Sequence, residues 1–180
     1  GKASEAEFDA CQAEIIRTIA KAKGDVRIPF SVFKTTGVVR FGLLEKINAG
    51  TALSAEEQAE WERAQKRVDG IAKAAFEAGQ PLFIDAEESW IQDAIDALAT
   101  QMMERYNREA PIVYNTIQLY RHDRLAYMQQ AFATAREKGY WYAVKLVRGA
   151  YMEKERERAA EKGYASPIQP NKAASDRDYN

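Results

Sequence analysis

The chain has 180 residues, of which 46% are hydrophobic and 29% charged, with a formal net charge of −1. That length suits one domain with a sizeable core, and the near-neutral balance argues against nucleic acid or an anionic membrane as a general electrostatic partner. No apolar run approaches the roughly 20 residues of a transmembrane helix, no signal peptide opens the chain, and a lone cysteine, Cys11, cannot form an internal disulfide, which favours a reducing compartment.

Ser4 and Glu7 have capping-box spacing. Phe8, Cys11, Ile15 and Ile19 then recur at helical period up to Gly24, so Cys11 reads as core packing. Arg27–Lys34 (RIPFSVFK) predicts a strand, and Val38–Asn48 a helix. Ser54 and Glu57 form a second capping box, ahead of a helix with Trp61, Ala64, Val68, Ile71 and Ala75 on one face and a stop at Gly79. Pro81–Asp85 (PLFID) is a short apolar strand. Ser89 can cap the next helix, which turns Ile91, Ile95, Leu98 and Met102 inward. Pro111–Gln118 is a third strand, and a helix from about Arg121 to Lys138 presents Leu125, Met128, Phe132 and Ala135. Tyr142–Val147 is a fourth strand. The charged run after it predicts a helix over Met152–Lys162 with a solvated face. ASPIQPN reads as a loop, and NKAASDRDYN as the start of a helix.

Strands alternating with amphipathic helices at roughly 30-residue intervals imply a parallel sheet. Both a (βα)-barrel and an open doubly wound sheet fit this order. Each strand ends on polar residues: Lys34; Asp85 with Glu87 and Glu88; Asn115 and Gln118; Lys145 and Arg148. In a parallel sheet those ends share one rim, where active sites sit in barrels and open sheets alike. Any one of them is equally well a solvated strand end, or an acidic group favoured by the positive end of the next helix. Lys145 is the strongest single case, because a lysine inside an apolar strand needs a partner or a ligand. His122, the only histidine, reads as a surface or capping residue. The chain has no dinucleotide fingerprint, phosphate loop, metal-ligand cluster or serine elbow.

VKLVRGAYMEKERERA resembles the signature strand of proline dehydrogenases. LFIDAEESWIQDAI is similar to that family's acidic strand end, VYNTIQLY to its glutamine strand and FSVFKTTG to its lysine strand, all in the family's order. The likeness is to the monofunctional bacterial and mitochondrial-type branch. It implies that residues 1–180 form part of a (βα)8 TIM-like barrel, with the first strand upstream of Gly1 and the later strands and final helix beyond Asn180. It also implies FAD-dependent oxidation of L-proline to pyrroline-5-carboxylate by hydride transfer, with hydroxyproline oxidation or an inactive fragment as the alternatives. Lys34, Ala150 and Tyr151 would face the substrate. Leu82, Gln118, Lys145, Arg148, Gly149 and Ala150 would hold FAD. Asp85 and Lys145 would serve the chemistry, Lys145 by stabilising negative charge on the flavin. A quinone or other acceptor would take the electrons onward. The parent would be cytoplasmic or associated with the inner-membrane surface in a bacterium, and mitochondrial in a eukaryote. Exposed barrel edges would favour a homo-oligomer.

Overall fold

A computed structural model describes residues 4–180. The expectation placed at Gly1 lies outside them. The chain alternates helices with four strands: α1 (Glu5–Ala22), β1 (Ser31–Phe33), a 3-10 turn (Thr35–Gly37), α2 (Phe41–Asn48), α3 (Ala55–Ala78), β2 (Leu82–Ile84), α4 (Ser89–Tyr106), β3 (Val113–Gln118), α5 (Arg124–Lys138), β4 (Val144–Val147), α6 (Met152–Lys162) and α7 (Lys172–Tyr179). Both capping boxes form, with Ser4 and Ser54 each accepting from the backbone three residues on. Gly79 and Gly139 end α3 and α5 at φ 63° and 71°. A side chain is strained in that left-handed conformation, and each glycine redirects the chain towards the next strand.

The strands pair in parallel in chain order, β1-β2-β3-β4. A doubly wound sheet reverses its order at a switch point. Here each strand adds to the same side of the one before, which is the barrel arrangement. Alternation along the strands separates two faces. Leu82, Ile84, Val113 and Phe33 lie in a core shared with Ile71, Ile91, Ile95 and Leu98 of α3 and α4. The other face carries Val32, 54% exposed, and Phe83 and Tyr114, which pack edge to face with ring centroids 5.4 Å apart.

Several expectations change, among them the start of α2, which is Phe41 rather than Val38. β1 starts at Ser31 rather than Arg27, because Asp25 holds the Arg27 and Ile28 amides in a turn, Pro29 has no N–H to donate, and the first ladder bond runs from the Ser31 N–H to the Pro81 carbonyl. Ser89 does not cap α4. Glu88 stands at the cap and Ser89 is the first helical residue. α5 begins at Arg124, since Arg121 is bridged to Ile168 and the His122 amide donates to the Pro167 carbonyl. That bridge folds the proline-bearing loop onto the end of β3 and buries Ile168 and Gln169. On α5 only Arg124 and Ala135 are buried, and Phe132 is 51% exposed. The charged run forms α6 with the expected solvated face, while Glu155 and Ala159 on its other side are buried.

Candidate active site

Four strand ends converge at the carboxyl rim. Lys34 follows β1 and donates to the Tyr151 hydroxyl at 3.2 Å, its ammonium 5.9 Å from that ring's centre. Asp85 follows β2, and its amide donates to the Phe33 carbonyl, which fixes it beside Lys34. Lys145 on β4 pairs with Thr116 on β3, so it stands on the face opposite the helices. Its ammonium meets Asp85 Oδ1 at 2.5 Å and lies 5.3 Å from the centre of the Phe83 ring. The apolar pattern around Lys145 is therefore reconciled by one carboxylate and one aromatic face.

Gln118 ends β3 with its side chain buried. Its amide N–H donates to the Glu87 carbonyl at 2.7 Å, while its Oε1 has no partner. A buried, unpartnered acceptor costs about 1–3 kcal/mol, so this oxygen is open to a donor from a ligand. The Glu87 carboxylate accepts from the Thr36 hydroxyl at 2.5 Å and the Thr36 amide at 3.2 Å. Burial pushes its pKa up, against the Thr36 bonds and the nearby Lys34, which lower it. The Lys34 pKa is raised, first by its hydrogen bond to Tyr151 and further by the charges of Glu87 and Asp85.

Lys34, Asp85, Gln118, Lys145, Gly149, Ala150 and Tyr151 line one cavity of about 280 Å³. Thr116 and Tyr120 line it too, and the sequence reading did not single them out. Tyr120 lies in the turn just after β3, where strand alternation no longer marks which side a residue takes. Two expected contacts lie elsewhere. Arg148 turns to α7, 3.4 Å from Asp176 and 4.7 Å from the centre of the Tyr179 ring. Leu82 is fully buried in the core, on the helix-facing side of β2. A larger cleft of about 750 Å³ lies between α3 and α4. Its Arg105 and Asp69 satisfy each other at 2.5 Å, whereas the rim holds the unpartnered Gln118 oxygen, so the rim is the candidate site.

The donor set suits one end of a flavin. The free Gln118 oxygen matches the N–H on the pyrimidine edge of the ring, and the Lys145 ammonium is a counter-charge for an electron-rich ring system. The cavity of about 280 Å³ is smaller than the roughly 300–1,000 Å³ of ligand pockets, so it has room for one end of a dinucleotide and not its whole length. At Gly149 an added Cβ would come within 3.3 Å of Met152 Cε, so a side chain there would crowd the turn at the cavity's edge.

A parallel sheet in chain order with charged groups gathered at its carboxyl rim defines a segment of a (βα)-barrel enzyme. The chain belongs to the proline dehydrogenase family, whose model matches residues 1–180. It is 40% identical over 125 residues to the human mitochondrial proline dehydrogenase 1, covering 69% of this chain and 21% of the human one. It is 37% identical over 134 residues to the hydroxyproline dehydrogenase of Xenopus laevis, covering 74% of this chain and 29% of that protein. Among solved structures, proline utilization A from Bdellovibrio bacteriovorus, inactivated by N-propargylglycine, superposes with a TM-score of 0.79. The match covers 99% of this chain and 20% of that one at 18% identity, which shows a shared fold. The chain spans about a fifth of the length of the first curated relatives it matches.

Proposed function

We propose that this segment is the flavin-facing part of a proline dehydrogenase, four strands of an eight-stranded barrel that oxidises L-proline to pyrroline-5-carboxylate. The observation that carries the reading is the convergence of the Lys34–Tyr151 and Lys145–Asp85 pairs with the free Gln118 oxygen in one rim cavity. Lys34 holds the substrate carboxylate, with Tyr151 and Ala150 as the wall beside it. A charge-assisted hydrogen bond of this kind contributes about 1.5–3 kcal/mol. Gln118, its amide fixed by the Glu87 carbonyl, presents an acceptor to the flavin. FAD, when bound, supplies the two-electron acceptor for the oxidation of the C–N unit of proline. Asp85 keeps the Lys145 ammonium aimed at the cavity, where it stabilises negative charge that grows as the substrate is oxidised. A quinone or other acceptor takes the electrons onward. The compartment follows the host: mitochondrial in a eukaryote, and cytoplasmic or at the inner-membrane surface in a bacterium.

The full-length protein, loaded with FAD and mixed anaerobically with L-proline, should lose its flavin absorbance and form a product trapped by o-aminobenzaldehyde. The hydroxyproline dehydrogenase relative makes hydroxyproline the second arm of the experiment. Faster bleaching by hydroxyproline would reassign the substrate, and no bleaching by either would overturn the reading.

A further inference from the structure

Glu155, on α6, is 1% exposed although the run around it is strongly charged. Both of its oxygens accept from Ser89: Oε1 from the backbone N–H and Oε2 from the hydroxyl, each at 2.6 Å. Ser89 opens α4, and Glu88 at the cap position makes no side-chain cap bond of its own. Glu155 therefore satisfies a free amide of α4 from 66 residues away and places a negative charge at the positive end of that helix. A local Ser or Asp would cap α4 as well. What the distant carboxylate adds is a tie between α4 and the first turn of α6. The same tie includes an ion pair between Lys154 and Glu88, and Arg158 stacked 4.3 Å from the centre of the Trp90 ring.

One turn before Glu155 stands Tyr151, the cap residue of α6, whose carbonyl accepts from the Glu155 N–H at 2.9 Å. The Tyr151 hydroxyl is the partner of Lys34. We propose that Glu155 is a positioning residue for the substrate side of the site: by clasping α6 to α4 it sets where Tyr151 meets Lys34. The role in catalysis rests on the proposed function, but the geometric claim does not. Lys34 faces Tyr151, Glu87 and Asp85, and of these only Tyr151 is carried by the clasped helix.

The test uses the full-length protein with bound FAD and has two readouts. The first is acetylation of Lys34 by acetic anhydride, followed by mass spectrometry across pH. Tyr151→Phe and Glu155→Gln should each speed Lys34 labelling at pH 8 by about five-fold, the loss of one solvent-exposed hydrogen bond from the ammonium. The double variant should add nothing to the larger of the two, because both act on one contact. Ser89→Ala, which keeps the buried charge and one of its two bonds, should shift labelling the same way by less, so the proposal stays testable if Glu155→Gln folds poorly. The second readout is steady-state kinetics, where Glu155→Gln should raise KM for proline about ten-fold and change kcat little. Unchanged Lys34 labelling in Glu155→Gln and Ser89→Ala, beside a change in Tyr151→Phe, would overturn the clasp. So would additive labelling effects in the double variant. If wild-type protein fails to oxidise proline, the functional reading falls, and the labelling still decides whether Glu155 positions Tyr151.

Discussion

Glu87 is a carboxylate held on the rim at a cost in desolvation. Its carboxylate is buried, bound by Thr36 and close to Lys34. Burial wins over those partners and raises its pKa above the ordinary 4.5. The folded state therefore keeps a proton that the unfolded chain has already released, so stability falls as pH rises from about 4.5 through the raised value. Glu87→Gln has no proton to lose and should flatten the stability curve over that window in chemical denaturation at a series of pH values. Curves that stay parallel would show that Glu87 is already charged in the fold. Among single residues, Lys145 was legible because a cation inside VKLV contradicts its surroundings, and its answer, Asp85, lay among the polar strand ends. Glu155 was hidden. Glutamate in a run of charges reads as solvated, and only its spacing of four from Ala159 placed it on a shared inward face.

Among the elements, β3 is held by a buried polar chain. Asp96 of α4 accepts from Arg124 at 2.8 and 2.9 Å, from Asn115 of β3 at 2.9 Å and from Gln92 at 3.0 Å. Gln92 Oε1 accepts from the Glu87 amide at 2.8 Å, and the Glu87 carbonyl holds Gln118. The start of α5 is thus wired to the Gln118 amide through side chains hidden from water. Tyr127, its ring 4.1 Å from the Arg124 guanidinium, is buried enough that its hydroxyl pKa is pushed up to about 12. Arg124→Ala leaves Asp96 buried without its cation and should cost about 3–5 kcal/mol in denaturant unfolding. A loss below about 1 kcal/mol would mean that Asn115 and Gln92 satisfy Asp96 alone. Helical periodicity located α1, α3 and α4 because each buries a long apolar stripe. It over-read α5, where Leu125, Met128 and Phe132 have the right spacing but Phe132 faces solvent, and one turn is instead held by a buried arginine. A buried ion pair has no signature in hydrophobic period, so this anchor was not legible.

For the whole molecule, chain-order pairing of four parallel strands is the decisive feature. The sequence announced alternating strands and helices but left two architectures open, because sheet order depends on pairing between distant segments that periodicity does not encode. Pairing in chain order puts Lys34, Asp85, Gln118 and Lys145 on consecutive strands at one rim, with their side chains on the face away from the helices. On the proposed function, this rim faces a flavin during proline oxidation, with Lys145 as its charge-stabilising group. Asp85 is partly exposed and can be solvated once its partner is gone, so Lys145→Met should fold and retain FAD. The most direct measurement is anaerobic stopped-flow reduction of the full-length, FAD-loaded protein by L-proline. Wild type should bleach, and Lys145→Met, at unchanged flavin content, should bleach about 10²–10³-fold more slowly, the usual effect of removing one preorganised electrostatic group. Bleaching of the variant at the wild-type rate would contradict the account.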